Sequence, residues 1–159
     1  MGEVNDVIAA AEYLKTLDYV DPDRIYLGGH STGGTLVLLV AEATDMFKAV
    51  ISFGPVTDPA YYYEDLFVPG PALETELRAP VHFMHMIKTP TVIVEGGTQG
   101  NAVELPVLKN AAPDNSNLSV VTVPGRDHFS VLWPVNQVLA KKIMASPDAK
   151  LTLTAAEVR

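Results

Sequence analysis

Residues 27–35, with the sequence LGGHSTGGT, constrain this chain more than any other stretch. They place Ser31 among close glycines, between an apolar run over residues 24–27 and a longer apolar run over residues 36–43. The first run predicts a short buried strand, and the second predicts a helix packed against a sheet. A serine at such a strand-to-helix corner matches the G-x-S-x-G nucleophile elbow.

The corner makes two demands that these residues meet. The strand and helix must pass closely, and we expect Gly29 and Gly33 to leave the necessary room. The first N–H groups of the helix and the positive end of its dipole then point at Ser31, so the N–H of Thr32 is the predicted oxyanion donor. The alternative interpretation is a helix cap or phosphate site. A Walker loop is excluded because no Lys-Ser/Thr pair follows the glycines.

Composition limits the class of protein. The 159 residues, 48% hydrophobic, predict one globular domain. A net charge of −8 argues against nucleic acid or an anionic membrane as partner. The absence of cysteine excludes disulfides and thiolate metal sites. No apolar run approaches the roughly 20 residues of a membrane span, and we expect a cytoplasmic location by default.

Helical and strand patterns alternate along the chain, which predicts an α/β fold with a mostly parallel sheet flanked by helices. Besides the two elements at the corner, we predict helices over residues 4–17, 73–78, 102–112 and 131–145, and strands over 47–53, 89–97 and 118–123. Residues 58–71 predict an irregular segment, whose tyrosines at 61–63 line a pocket or simply pack. Residues 1–145 form the predicted domain, and 146–159 a weakly structured tail in which Thr154–Glu157 could cap a helical turn.

A serine hydroxyl needs a neighbouring base to become a nucleophile, and His128 is the candidate. It follows the predicted strand over 118–123, at the sheet edge where open α/β sheets carry their sites. His30 is interpreted as a packing residue. His82 and His85 have the spacing of metal ligands on a helix, but nothing nearby completes a ligand set. We therefore expect neither a metal nor a cofactor.

Several stretches resemble the α/β-hydrolase superfamily, most closely its prolyl-oligopeptidase-like branch, which includes dipeptidyl- and acylaminoacyl-peptidases. They are residues 23–34, 54–58, 88–94 and 124–129. The resemblance spans about residues 3–145 and implies the C-terminal part of an α/β-hydrolase fold. It also implies small acyl esters or peptides as substrates.

The sequence departs from the family at the acid of the catalytic triad. The resemblance implies an aspartate a few residues after the strand that ends near Glu95, but residues 98–101 read TQGN. Three residues are left as candidates for the group that orients His128. Glu95 is the first candidate, and Asn101 and Glu104 are the alternatives. Asp127 is adjacent to His128, but neighbouring side chains diverge in extended backbone. Loss of the acid would lower turnover by up to about 10⁴-fold.

The second departure is at the front of the chain. The resemblance implies several strands before the first helix and a loop there with a second oxyanion donor. We expect a fragment, a truncated gene product, or a half that another copy completes. If the elbow strand lies at a sheet edge, its unpaired backbone groups predict a homodimer through that edge.

The sequence thus predicts a serine hydrolase, an esterase or a peptidase. A catalytically impaired binding or scaffold domain is the main alternative, and a phosphate-binding protein is a third possibility.

Overall fold

A parallel four-stranded sheet in the order β1-β2-β3-β4 forms the centre of the computed structural model, which describes residues 2–62 and 72–158. The strands are β1 Tyr26–His30, β2 Ala49–Phe53, β3 Thr91–Gly96 and β4 Leu118–Val123. The α-helices are α1 Gly2–Lys15, α2 Thr32–Ala43, α3 Pro59–Tyr62, α4 Ala72–Leu77, α5 Glu104–Ala111 and α6 Leu132–Ala145. Short 3-10 turns cover Pro22–Arg24, Pro80–His82, Met84–Met86 and Ala155–Glu157. The predicted α/β class with a parallel sheet is confirmed.

Apolar side chains cover both faces of the sheet. One layer joins α1, α2 and α5, and the other joins α6 and the C-terminal residues. Because successive strand residues point to opposite faces, Val50 and Ile93 belong to the first layer, whereas Ile51 and Val92 belong to the second. Every residue of β2 and β3 is buried as a result.

The elbow strand β1 extends further than the sequence predicts. We expect a strand ending at residue 27, but β1 continues through both glycines to His30. It does so because Gly28, Gly29 and His30 stay in parallel register with β2. β1 lies at one edge of the four-stranded sheet described here.

The segment around residue 60 and the start of α5 differ from the predicted boundaries. The segment 58–71, predicted to be irregular, includes the short helix α3. Residues 63–71 lie outside the described residues, and so does the prediction for the tyrosine side chains at 61–63. α5 begins at Glu104 rather than at residue 102.

Residues 146–158, most of the segment predicted to be weakly structured, pack against the layer of α6. The backbone there has little regular structure, but Leu151, Leu153 and Val158 are buried in the layer beneath α6. Thr154 and Glu157 form the capping box that the sequence allows. Glu157 also pairs with Lys142 of α6 at 2.7 Å. The apolar side chains anchor this segment, because burying them stabilises it without a helix or strand.

No helix among residues 2–62 and 72–158 has both the length and the apolar composition needed to cross a bilayer. α1 and α6 have 14 residues each. A helix of that length reaches about 21 Å, short of the ~30 Å hydrocarbon core.

Candidate active site

Ser31 occupies a strained corner between β1 and α2. Its φ of 57° and ψ of −119° make it the one non-glycine residue with positive φ in the described part of the chain. Such backbone angles cost free energy and persist only when the surroundings enforce them. Here the Ser31 N–H donates to the Phe53 carbonyl at 2.8 Å, which ties the corner to the end of β2.

The elbow glycines serve different purposes. A Cβ on Gly29 would clash with the Gly33 backbone, and a Cβ on Gly34 would clash with the Phe53 carbonyl. A Cβ on Gly33 would meet nothing within 4 Å. The room predicted at Gly29 is required, but Gly34 rather than Gly33 is the second position where close approach demands glycine.

A cavity of about 410 Å³ opens beside Ser31 and Thr32. Its apolar wall comes from Leu36, Leu39, Val56 and Pro59. Arg78 and Glu3 also line it and form an ion pair with each other, and Arg78 additionally binds Glu74 at 2.8 Å. The hydrogen bond from Arg78 lowers the pKa of Glu3, so this pair is charged at neutral pH.

Glu95 and His128 meet at the carboxyl edge of the sheet. The Glu95 side chain is fully buried at the end of β3, and its Oε2 lies 2.6 Å from Nδ1 of His128. The carboxylate also accepts the N–H of Gly96 at 2.6 Å and that of Asn101 at 3.2 Å. Because a carboxylate only accepts hydrogen bonds, this network assigns the proton to Nδ1 and leaves Nε2 of the neutral ring as an acceptor.

Two glycines with positive φ enclose the Glu95–His128 pair. A Cβ on Gly54 (φ +56°) would clash with the carboxylate and the imidazole. A Cβ on Gly100 (φ +95°) would stand 2.8 Å from the His128 Cβ and 3.0 Å from Glu95 Oε2. Both positions therefore need glycine for their backbone angle and for space.

The loop that carries His128 is fixed by two neighbouring side chains. Asp127 accepts the N–H groups of Ser130 at 2.7 Å and Phe129 at 2.9 Å, and these bonds lower the pKa of the Asp127 carboxyl. His30 places its Nε2 2.9 Å from the His128 carbonyl oxygen, and the two rings lie 4.3 Å apart. His30 packs as predicted, and the residue against which it packs is the candidate base.

The other acid candidates do not bond to His128 in the described residues. Glu104 Oε2 instead accepts the N–H of Thr57 at 3.1 Å and its hydroxyl at 2.6 Å. The Asn101 side-chain amide donates to the Gly54 carbonyl at 2.8 Å. Both therefore brace the loops around the pair, and Glu95 is the candidate that contacts the imidazole.

Ser31 and His128 lie at the same sheet edge. His30, next to Ser31, contacts the His128 ring, and Gly54, next to the Phe53 carbonyl that binds Ser31, contacts it from another side. Within the described residues the Ser31 hydroxyl and the imidazole are not yet hydrogen-bonded. Bonds of this kind often tighten only when substrate binds.

No cluster of three or more potential metal ligands exists in residues 2–62 and 72–158, and this includes the region of His82 and His85. Both histidines lie in short 3-10 turns and not on one α-helix, so the helical spacing that suggested a shared face does not apply.

Sequence reasoning missed the roles of Gly54 and Gly100. Gly54 could be recognised only as the end of a strand, and Gly100 only as part of a loop that lacks the expected aspartate. The only signal in the sequence is that Gly54 directly follows a predicted strand near the candidate site. Its role depends on the side chains of Glu95 and His128, which come from distant parts of the chain.

Glu42 was also missed, and it lies outside the site near the end of α2. Its Oε1 is buried with no hydrogen-bond partner among the described residues. Burial raises its pKa to about 9, so the group is protonated at neutral pH. The sequence shows only that Glu42 belongs to a helix and not that its carboxyl group is buried.

Comparisons with known proteins agree with this architecture. The model of the prolyl oligopeptidase family matches residues 1–96. A probable dipeptidyl-aminopeptidase B from Neurospora crassa is 37% identical over 160 residues, which cover 89% of this chain and 17% of that protein. The chain therefore spans a small part of the length of such relatives.

Solved structures show the same fold. A puromycin-hydrolyzing peptidase of Mycobacterium tuberculosis superposes with a TM-score of 0.67 at 26% identity, covering 79% of this chain and 22% of that one. Dipeptidyl peptidase 4 of Porphyromonas gingivalis superposes with a TM-score of 0.74 at 24% identity, covering 90% of this chain and 22% of that one.

Proposed function

This chain belongs to the prolyl oligopeptidase family, and from that premise we propose that it is a serine hydrolase that cleaves small acyl esters or peptides. Ser31 is the nucleophile, His128 the general base, and Glu95 the acid that orients His128. The observation that carries the proposal is the 2.6 Å contact between the buried Glu95 carboxylate and Nδ1 of His128. This contact directs the remaining ring nitrogen, Nε2, to proton transfer.

The reaction follows from these roles. The Ser31 oxygen forms a bond to the substrate carbonyl carbon while its proton moves to Nε2 of His128. The resulting imidazolium is stabilised by Glu95 and gives the proton to the leaving oxygen or nitrogen as the bond to the acyl carbon breaks. Water then attacks the acyl-enzyme with His128 as base, and Ser31 recovers its proton when the acid product leaves.

The negative oxygen of each tetrahedral intermediate needs a donor. The N–H of Thr32 begins α2, where backbone N–H groups have no partner within the helix and the dipole is positive. We assign it as the oxyanion donor. The apolar cavity beside Ser31 and Thr32 then receives the acyl group or the side chain next to the scissile bond.

Labelling with a fluorophosphonate probe tests the proposal. The native 159-residue chain should be labelled on one serine, identified as Ser31 by peptide mass spectrometry. Labelling should vanish in Ser31→Ala and fall sharply in His128→Ala. The matched controls Ser116→Ala and His85→Ala change an exposed serine and histidine and should label at the native rate.

Folded protein that is not labelled would contradict the hydrolase and favour a binding or scaffold domain built on the same fold. Labelling that survives in Ser31→Ala would contradict the assigned nucleophile.

We also propose that two copies associate through the β1 edge. Its outer backbone groups lack a strand partner among the described residues, which favours pairing with another strand. Light scattering during chromatography at micromolar concentration should then give twice the mass of the chain, and a monomer would contradict the association.

A further inference from the structure

We propose that His30 is a positioning residue for His128. Through this contact His30 links β1, the strand that leads to Ser31, to the loop that carries His128. The inference rests on the proposed function, because it assigns a role in holding the base. His30 is the last residue of β1 and directly precedes Ser31. One short backbone segment thus fixes the serine and carries the side chain that holds its partner.

The first contact is with the backbone of His128. Nε2 of His30 lies 2.9 Å from the His128 carbonyl oxygen, and an acceptor there requires that Nε2 carry a proton. Adjacent loop carbonyls bond to the start of α6, with Asp127 accepting from Val131 and Phe129 from Leu132. The His128 carbonyl is instead held across the site by His30.

The second contact is between rings. The His30 and His128 ring centroids are 4.3 Å apart with a 40° interplanar angle. Phe129 meets both, at 5.3 Å from His30 and 5.1 Å from His128, in edge-on arrangements. The three rings therefore form one cluster, in which tilting the His128 imidazole would disturb two neighbours.

These contacts complete the restraint of the imidazole. Glu95 fixes Nδ1, and Gly54 and Gly100 lie so close to the pair that a Cβ at either position would clash with it. Neither constraint holds the backbone from which the ring projects. His30 holds that backbone at the His128 carbonyl, in addition to the bonds that Asp127 makes within the loop. In the proposed reaction the placement of Nε2 therefore depends on His30, and a misplacement of about 1 Å can cost on the order of 10²-fold in rate.

Two substitutions separate the donor from the ring. His30→Phe keeps an aromatic ring but loses the donor, whereas His30→Gln keeps an amide N–H of similar reach but loses the ring. With p-nitrophenyl acetate as substrate, we expect His30→Phe to lower kcat by about 10²-fold with little change in KM. His30→Gln should recover at least about 10-fold of that loss. His85→Phe, at an exposed histidine of a 3-10 turn, is the matched control and should equal the native protein.

A second readout is independent of catalysis. The Nδ1 proton of His128, bonded to Glu95, should give a downfield proton resonance in NMR spectra of the native protein. The resonance should persist in His30→Gln and broaden or disappear in His30→Phe, while the circular dichroism of both variants remains native.

The outcomes are distinct. A His30→Phe protein with native kcat and an unchanged His128 resonance would overturn the positioning role. An equal loss in both variants would overturn the role of the donor. If the native protein neither hydrolyses p-nitrophenyl acetate nor is labelled by the fluorophosphonate, the proposed function fails, and the resonance alone then decides whether His30 holds His128.

Discussion

The two corners of the candidate site, the elbow at Ser31 and the acid corner at Glu95, lie at the same sheet edge but arise in different ways. At the elbow, the clashes that require glycine at positions 29 and 34 come from residues at most 20 positions away. At the acid corner, Glu95 depends on His128, 33 positions further along the chain, and on Gly54, which directly follows the neighbouring strand β2. A local motif describes the first corner, whereas only the folded sheet assembles the second.

The same difference bears on the loop over residues 98–101, where the family resemblance implies an aspartate and the chain has none. The acid is carried by the last part of β3, and Gly100 in the following loop passes directly over it. A side chain at position 100 would occupy the space that Glu95 and His128 share. The Glu95–His128 contact therefore requires glycine at position 100.

The largest effect should come from Glu95→Gln. The variant keeps the size of the side chain, but an amide can donate to Nδ1 and stabilise the wrong tautomer of His128. We expect the rate of fluorophosphonate labelling to fall by up to about 10⁴-fold, with the fold retained by circular dichroism. A fall of less than about 10-fold would mean that the acid corner does not support catalysis as assigned.

Gly100→Ala should have the next largest effect. The new Cβ would stand 2.8 Å from the His128 Cβ and would also strain a backbone with φ of +95°. Displacing the base should slow labelling by about 10²-fold. Native labelling by a folded Gly100→Ala protein would show that the enclosure of the pair is unimportant.

Two elbow variants test whether glycine is needed at every glycine of the G-x-S-x-G motif or only where a Cβ would clash. Gly29→Ala forces a Cβ into the Gly33 backbone and should lower the free energy of unfolding by about 3 kcal/mol. Gly33→Ala places its Cβ in open space within α2 and should raise it by about 0.5–1 kcal/mol. Urea denaturation measures both, and similar losses in the two variants would contradict the assigned clash.

Glu104→Gln is the control for Glu95→Gln at a second glutamate near the site. Glu104 braces Thr57 and does not contact the imidazole, and an amide oxygen can still accept the Thr57 N–H. Labelling should change by no more than about 3-fold. A loss as large as that of Glu95→Gln would reopen the assignment of the acid.

Glu42→Gln should leave labelling unchanged and alter only stability. The pKa of Glu42 is raised from 4.5 to about 9 in the folded protein. Between these values the unfolded chain releases the proton and the folded chain keeps it, so the native protein loses stability as pH rises through this window. The melting temperature of Glu42→Gln should therefore exceed the native value by a margin that grows from pH 5 to pH 9. A margin independent of pH would contradict the buried, protonated state.

The sequence predicts much of this molecule because the relevant signals are local. β-branched runs and glycine stops predict β2 to β4, and the elbow spacing predicts Ser31 and the start of α2. His128 follows from its position after β4 and the order of serine and histidine. In each case the residues that form the signal lie within one element and its flanking turn.

The rest depends on contacts between distant residues. Three acid candidates stay open in the sequence, because β3 and the loop after it can present Glu95, Asn101 or Glu104. The burial of Leu151 is also a tertiary effect, since nothing in an irregular segment predicts what it packs against. His30 has no periodicity or spacing that connects it to a loop 98 residues away.

Whether Ser31, His128 and Glu95 work as one unit is measured most directly by a double-mutant cycle of labelling rates at positions 95 and 128. Residues of one unit are strongly non-additive. Once His128→Ala has removed the base, adding Glu95→Gln should therefore cost no more than about 3-fold. If the double variant instead loses the product of the two single losses, the two residues act independently and the proposed catalytic unit is wrong.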